Sequence, residues 1–431
     1  MSADQPAMAR TAWFTDARFG LFIHWGLYAI PARHEWVQTR EQTPPEDYAA
    51  YLDQFDPDLF DPADWARKAK AAGMRYVVVT AKHHEGFCLW DSAFTDFKAT
   101  NTPFGRDALR DILDAFRAEG LRVGIYYSLI DWHHPDFTID PVHPLRNHPD
   151  AIALNAERDM ERYRSYMFAQ VEELLTGYGP LDIIWFDFSY PDRAENGLTG
   201  KGRDDWNSEA LLALVRRLAP GIIVNNRLGL PEEAPDVVTP EQLSPPEWPE
   251  RDGARVTWEA CHTLSGPWGY ARDMGSAKSP GQLIRLLADT VSKGGNLLMN
   301  VGPTARGEFD PQATEALETY ATWMHHHAPA IRGCTAADLP PAQDCRLTRK
   351  GDRLYVHVFA WPFRHLHLPG LQGKVSQARL MTDGGEVGIV APAPDDPHEN
   401  MQIRSRPGDL VLELPVKKPD AVVPVIELAL C

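Results

Sequence analysis

Asp187 closes a short apolar run, Leu181-Asp182-Ile183-Ile184-Trp185-Phe186-Asp187-Phe188, whose composition suits a strand buried on both faces. Gly179-Pro180 just ahead of it stops a preceding helix. A carboxylate where such a strand emerges stands at the mouth of a barrel or crevice, where α/β proteins keep their chemistry. An aspartate there also serves simply to cap the following turn, so its company matters. Other segments that read as strand ends carry His24-Trp25, Glu35-Trp36, His83-His84, Tyr126-Tyr127, Trp185, Arg227 and Trp268. This mixture fits carbohydrate chemistry: imidazoles, guanidinium and carboxylates for the hydroxyls, aromatic faces for the C–H faces of the ring. Each aromatic alone is more often core than site, and it is the set that carries the reading. Cleavage of a glycosidic bond requires a second carboxylate beside the first.

The histidines also raise a metal site. His83-His84-Glu85 and His133-His134 have the right donors. Neighbouring residues on a strand point to opposite faces, however, and no helical H-x-x-x-H pair accompanies them, so no metal is expected, and cleavage by two carboxylates needs no organic cofactor. His325-His326-His327 falls at the end of a helical pattern, where cations suit the helix dipole.

A chain of 431 residues, 44% hydrophobic and 24% charged, holds a catalytic domain of about 250–300 residues plus a smaller one. The formal net charge of -17 is spread along the chain, which argues against nucleic acid as a partner and leaves no basic stripe for a membrane surface. No run reaches the ~18 apolar residues of a membrane span. Five cysteines (Cys88, Cys261, Cys334, Cys345, Cys431) lack paired metal spacing and are odd in number, so reduced thiols are expected. The N-terminus has no apolar leader core, and a cytoplasmic location is expected.

These groups are carried by strand-like segments at 19–23, 76–80, 122–127, 181–188, 221–226 and 296–301, which alternate with helical patterns at 62–72, 107–119, 153–175, 208–218, 280–292 and 311–327. A further segment lies at 256–259. Asp61 is placed as an N-cap and Gly73 as a helix stop. Repeated β-α units imply parallel strands with right-handed crossovers, and the first strand leads into FGLFIHWG rather than a Gly-rich phosphate turn. The expected fold is therefore α/β, a (β/α)8-like (TIM-type) barrel over residues 1–336. Short alternating runs at 353–358, 401–403, 410–414 and 422–428, broken by Pro, Gly and Asp, make residues 337–431 an all-β sandwich. Pro340-Pro341 and Pro392-Ala393-Pro394 read as turns or linkers.

Four long motifs carry a family resemblance. They are Arg18-Phe19-Gly20-Leu21-Phe22-Ile23-His24-Trp25-Gly26, Thr80-Ala81-Lys82-His83-His84-Glu85-Gly86-Phe87-Cys88-Leu89-Trp90, Ile184-Trp185-Phe186-Asp187 and Ser292-Lys293-Gly294-Gly295-Asn296-Leu297-Leu298-Met299-Asn300-Val301-Gly302-Pro303. In this order they resemble the α-L-fucosidases of glycoside hydrolase family 29, over about residues 10–335. The resemblance implies a retaining exo-α-L-fucosidase that hydrolyses terminal α-L-fucosyl linkages of oligosaccharides or glycoconjugates through a covalent fucosyl-enzyme. By it, Asp187 is the nucleophile, and His24, Glu35, Trp36, His83, His84, Tyr126 and Arg227 bind the fucose hydroxyls with Trp185 and Trp268 beside them. The chain departs from many members at Glu85, where Asp is common, and at Phe188-Ser189, where Gly is common.

The acid/base lies on a variable loop in this family. Glu241, in Val238-Thr239-Pro240-Glu241-Gln242, resembles a segment found in part of it. Glu259, after Trp258 at what reads as a strand end, is the alternative acid/base and equally a buried structural acid, and Glu35 could assist or replace either. A retaining mechanism calls for carboxyl groups ~5–5.5 Å apart. The substrate is expected to be a small α-L-fucoside, with linkage set by loops at 31–46, 131–147 and 191–205.

Overall fold

The computed structural model describes residues 4–231, 234–273, 275–340, 342–391 and 405–431. Seven parallel strands form the central sheet: β1 (Phe19–Ile23), β2 (Tyr76–Lys82), β3 (Arg122–Ser128), β4 (Ile183–Asp187), β5 (Ile223–Val224), β6 (Glu259–His262) and β7 (Asn296–Val301). Their spatial order is β6-β7-β1-β2-β3-β4-β5, which leaves β5 and β6 as edges. Residues 236–242 run between those edges. Parallel bridges pair Asn225 with Val237, Val238 with Trp258 and Glu241 with Cys261. Backbone bonds from Asp236 N to Val224 O (2.9 Å), Glu259 N to Val238 O (2.9 Å) and Gln242 N to Cys261 O (3.0 Å) join both sides. This stretch is the eighth station of a barrel, too irregular to read as a strand because Pro240 has no N–H to give.

Outside the sheet lie α2 (Pro62–Ala71), α3 (Ala108–Ala118), α4 (Met160–Gly177), α5 (Ser208–Leu218), α6 (Pro280–Ser292) and α7 (Pro311–His327), while α1 (Asp4–Ala17) precedes β1. Their starts are locally encoded. Asp61, Asp107 and Asp310 each accept a bond from the backbone N–H three residues on, and Ser279 with Gln282 forms a capping box. Among the described residues no long helix separates β5 from 236–242 or that stretch from β6, where a hairpin at 250–255 stands instead. The sequence did not signal α1. Its Trp13 and Phe14 rings pack 5.9 and 5.3 Å from Tyr76, at the start of β2, and so cover the floor of the barrel.

Alternation sorts the strand side chains. Phe22, Tyr76, Val78, Tyr126, Ile183, Trp185, Ile223, Cys261 and Leu298 pack into one interior cluster, whereas Phe19, Leu21, Val77, Val79, Ile125 and Ile184 join the larger core beneath the helices. Each fully buried Val or Ile of that outer layer contributes about 1.5–3 kcal/mol. Gly20 is required here, since a Cβ would stand 2.3 Å from the Tyr76 ring.

Beyond α7 the chain forms β8 (Thr335–Ala336), β9 (Cys345–Lys350), β10 (Arg353–Val358), β11 (His365–Leu368), β12 (Val375–Leu380), β13 (Gly388–Val390), β14 (Leu410–Glu413) and β15 (Val425–Leu430). Sheets of order β8-β9-β10-β15-β12 and β11-β14-β13 face each other across Leu354, Val356, Leu366, Leu368, Leu410, Leu412, Ile426 and Leu428. The fold is thus the expected barrel followed by an antiparallel β sandwich. The expected strand at 401–403, Pro341 and the Pro392–Pro394 joint lie outside the described residues. All five cysteines are unpaired, and no helix among the described residues is long and apolar enough to cross a membrane.

Candidate active site

The C-terminal ends of the parallel strands bring the motif residues to one mouth. Trp185 and Asp187 lie two apart on β4 and so share its inner face. Asp187 Oδ2 accepts a 2.8 Å bond from the Tyr126 hydroxyl at the end of β3, and Oδ1 accepts a 3.2 Å bond from Arg227 Nη1. Burial pushes the Asp187 carboxyl up to about 6, with Arg227 pulling it down, Glu241 adding to the rise and the Tyr126 bond opposing it.

Arg227 follows β5 and is gripped by the eighth station. Its Nε donates to Thr239 Oγ1 at 3.1 Å and its Nη2 to Thr239 O at 3.0 Å, while its guanidinium lies 4.9 Å from the Trp185 ring centre. Nη2 also donates to Glu241 Oε2 at 3.0 Å. One guanidinium therefore spans Asp187 and Glu241. The Glu241 side chain keeps 42% of its surface exposed against 14% for Asp187, so one acid faces the solvent side of the mouth and the other lies within it.

The imidazoles are set as acceptors. Ser128 uses its only hydroxyl proton on Ile130 O (2.7 Å), so the 2.7 Å contact of His84 Nδ1 with Ser128 Oγ has the imidazole as donor. In the neutral ring Nε2, 3.9 Å from Asp187 Oδ2, is then a lone-pair acceptor. Likewise Asn300 donates through Nδ2 to Trp268 O at 2.6 Å and accepts at Oδ1 from His24 Nδ1 at 2.6 Å, which leaves His24 Nε2 free to accept. Burial lowers the pKa of His24 and His84 well below the ordinary histidine range, and that of His83 to about 3, so all three stay neutral. His83 lies tilted 4.0 Å from His84 and stacks 5.7 Å from Tyr126. Glu35 Oε2 accepts from Trp268 N (2.9 Å) and Gly269 N (3.0 Å), and burial raises its pKa to about 7 against those bonds. Trp36 stands 5.0 Å from His84, and Trp268 lies 5.1 Å from His24 and 5.9 Å from Phe22.

Glu259 is placed differently. It opens β6 rather than ending a strand, pairs with Asn296 at the start of β7, and accepts a short bond from the Tyr76 hydroxyl at the floor. The sequence reading of a strand end at 256–259 is corrected on this point: the ladder begins where Glu259 N meets Val238 O. The other histidine pairs do not converge. His133 stacks on Phe97 at 3.9 Å, His134 leans on Tyr166 at 4.4 Å, and His327 stacks on Trp323.

A family model described as Alpha-L-fucosidase matches residues 2–329. This chain belongs to the α-L-fucosidase family. The family is one of glycoside hydrolases, and the chain is similar along almost its whole length to solved members. Alpha-L-fucosidase isoenzyme 1 from Paenibacillus thiaminolyticus superposes with a TM-score of 0.91 at 44% identity, covering 99% of this chain and 100% of that one. A GH29 α-L-fucosidase from Bacteroides thetaiotaomicron, solved as a trapped covalent intermediate with 2-fluoro-fucosyl fluoride, gives 0.83 at 30% identity over 99% and 96%. Tissue alpha-L-fucosidase of Mus musculus is 30% identical over 382 residues, 81% of this chain and 78% of that protein.

Several residues of this fucosidase-family mouth escaped the sequence reading. Asn300, Ser128 and Thr239 orient His24, His84 and Arg227 respectively. For Asn300 a signal existed, a polar side chain in the buried run Leu297-Leu298-Met299-Asn300-Val301. Thr239 carried none, because the station that holds it has no strand pattern.

Proposed function

We propose that the chain is a retaining exo-α-L-fucosidase that releases terminal fucose from small fucosides, with Asp187 as nucleophile and Glu241 as acid/base. The observation that carries this reading is the single Arg227 guanidinium joining both carboxylates at the mouth. In the first step Asp187 attacks the anomeric carbon while Glu241, in its acid form, protonates the departing glycosidic oxygen. The C–O bond to the aglycone breaks, and a fucosyl ester of Asp187 forms. The negative charge of Asp187 is thereby consumed, and Arg227 has only the Glu241 carboxylate left to neutralise. Glu241 then takes a proton from water, which attacks the ester, frees Asp187 and gives fucose with net retention. His24, His84 and Glu35 bind hydroxyls, and Trp185, Trp268 and Phe22 supply the apolar wall. The covalent intermediate trapped in the Bacteroides relative supports the double displacement.

The test is hydrolysis of an aryl α-L-fucoside by the wild type and by Asp187→Gly, with and without azide. Activity should drop by roughly four orders of magnitude in the variant and return with azide as a β-fucosyl azide. A variant that keeps its activity sinks the assignment of Asp187.

A further inference from the structure

Phe188 follows Asp187 with a φ of 88°, in the left-handed half of backbone space that glycine enters freely and a bulky side chain enters only against steric resistance. A glycine would make this turn without strain, so the ring must serve for something other than the turn. Three aromatic neighbours hold it: Trp36 at 5.3 Å, His84 at 5.2 Å and Tyr190 at 4.7 Å between ring centres. The segment is anchored on both sides. Ser189 Oγ donates to Arg227 O at 2.8 Å, and the Tyr190 hydroxyl donates to Asp140. Asp187, Phe188 and Tyr190 are all half-buried, so the same short stretch lines the open mouth.

The two oxygens of Asp187 divide that mouth. Oδ1 faces Arg227 and, through it, Glu241; Oδ2 faces Tyr126 and His84. Phe188 packs on His84, hence on the side away from Glu241. The reaction proposed above puts the anomeric carbon between Asp187 and the leaving oxygen, so its ring neighbours C2 and O5 lie to the sides, and an imidazole set to accept takes the side that bears hydroxyls, the C2–C3 edge. His84 Nε2 is set to accept from a hydroxyl there.

We propose that Phe188 is a specificity-determining residue: with Trp36 and Tyr190 it walls the C2–C3 edge of the fucosyl unit, so that only fucose with free hydroxyls on that edge is a substrate. This inference rests on the preceding functional reading and adds the substrate class. A methyl, sulfate or further sugar on either hydroxyl collides with a ring that its neighbours hold in place.

The experiment measures kcat/KM of the wild type, Phe188→Ala and Phe188→Gly on an aryl α-L-fucoside and on its 2-O-methyl and 3-O-methyl derivatives. The ratio of methylated to parent substrate should rise by roughly 10-fold or more in both variants for at least one derivative. Glycine is at ease at this φ, so Phe188→Gly keeps the fold even if Phe188→Ala does not, and thermal melting shows which has folded. An unchanged ratio, including an equal loss on all substrates as from a purely structural role, overturns the proposal. So does a wild type that cleaves the methylated compounds as well as the parent. A wild type inert on the parent compound removes the fucosidase reading itself, and the wall with it.

Discussion

The mouth and the floor of the barrel each hold a strand-borne carboxyl bonded by a tyrosine, Asp187 with Tyr126 and Glu259 with Tyr76. Burial raises both, to about 6 and about 8. They differ in what else reaches them. Asp187 is opposed by Arg227 and coupled through it to a second, exposed acid; Glu259 is sealed, with α1 packed against its tyrosine and no cation among the causes of its shift. A buried carboxyl with a tyrosine donor is therefore not a site by itself. A counter-charge that keeps it ionised, and a path to substrate, make it one.

The largest effect that sharpens the contrast is loss of the partner acid. Glu241→Ala should lower kcat/KM by on the order of 10²–10⁴-fold for fucosides with poor leaving groups and far less for activated aryl fucosides. An equal loss across a leaving-group series would break the pairing of Asp187 with Glu241. On the floor, Glu259→Gln should leave kcat/KM within about two-fold, since Gln mimics the protonated acid at Tyr76. A large loss there, in a variant that melts like the wild type, would instead bring Glu259 into the chemistry.

The same floor variant has a stability signature. The folded-state pKa of Glu259 lies near 8, above its ordinary 4.5, so between those values the folded protein holds a proton that the unfolded chain releases. Its contribution is most favourable below pH 4.5 and is lost as pH rises toward 8. Glu259→Gln should thus raise the Tm at neutral pH, by the equivalent of about 1–3 kcal/mol, and flatten its fall over that window. Urea melts at pH 5 and pH 8 check this, and a wild type without that slope contradicts it.

At the mouth, Asp187 in the proposed role of nucleophile acts only when ionised, so kcat/KM should fall as pH drops through about 6. The smallest expected effect at the mouth is in Tyr126→Phe. Its bond favours the ionised form, so its removal should move that acidic limb to higher pH. A limb that stays in place would show that Tyr126 does not tune Asp187.

Much of this was legible in advance because it is local. The helices at 208–218, 280–292 and 311–327 and the strands at 19–23 and 296–301 fall where periodicity, caps and glycine stops put them. His24, His83, His84, Tyr126, Asp187 and Arg227 were readable as candidates because each lies near the C-terminal end of a strand or just beyond it. Helix α1 was not, since its residues carry little apolar periodicity and only the open floor beneath Tyr76 gives them something to cover. The direction of Glu259 was misread because Val256-Thr257-Trp258 resembles a strand that, in the barrel, starts only at Glu259.

The sequence alone determined most of the element types, the polar residues gathered at the mouth and the family, because caps, alternation and motifs are written in residues close along the chain. Only the tertiary structure decided which acid meets which cation. Arg227 and Asp187 stand 40 residues apart, and what joins them to Glu241 is a stretch without strand pattern that is held in place by the edges of β5 and β6. The same holds for the φ of Phe188, which no local preference produces and which the rings of Trp36, His84 and Tyr190 maintain. Contacts of this kind depend on closure of the whole ring, and their partners are chosen by packing rather than by neighbours in sequence.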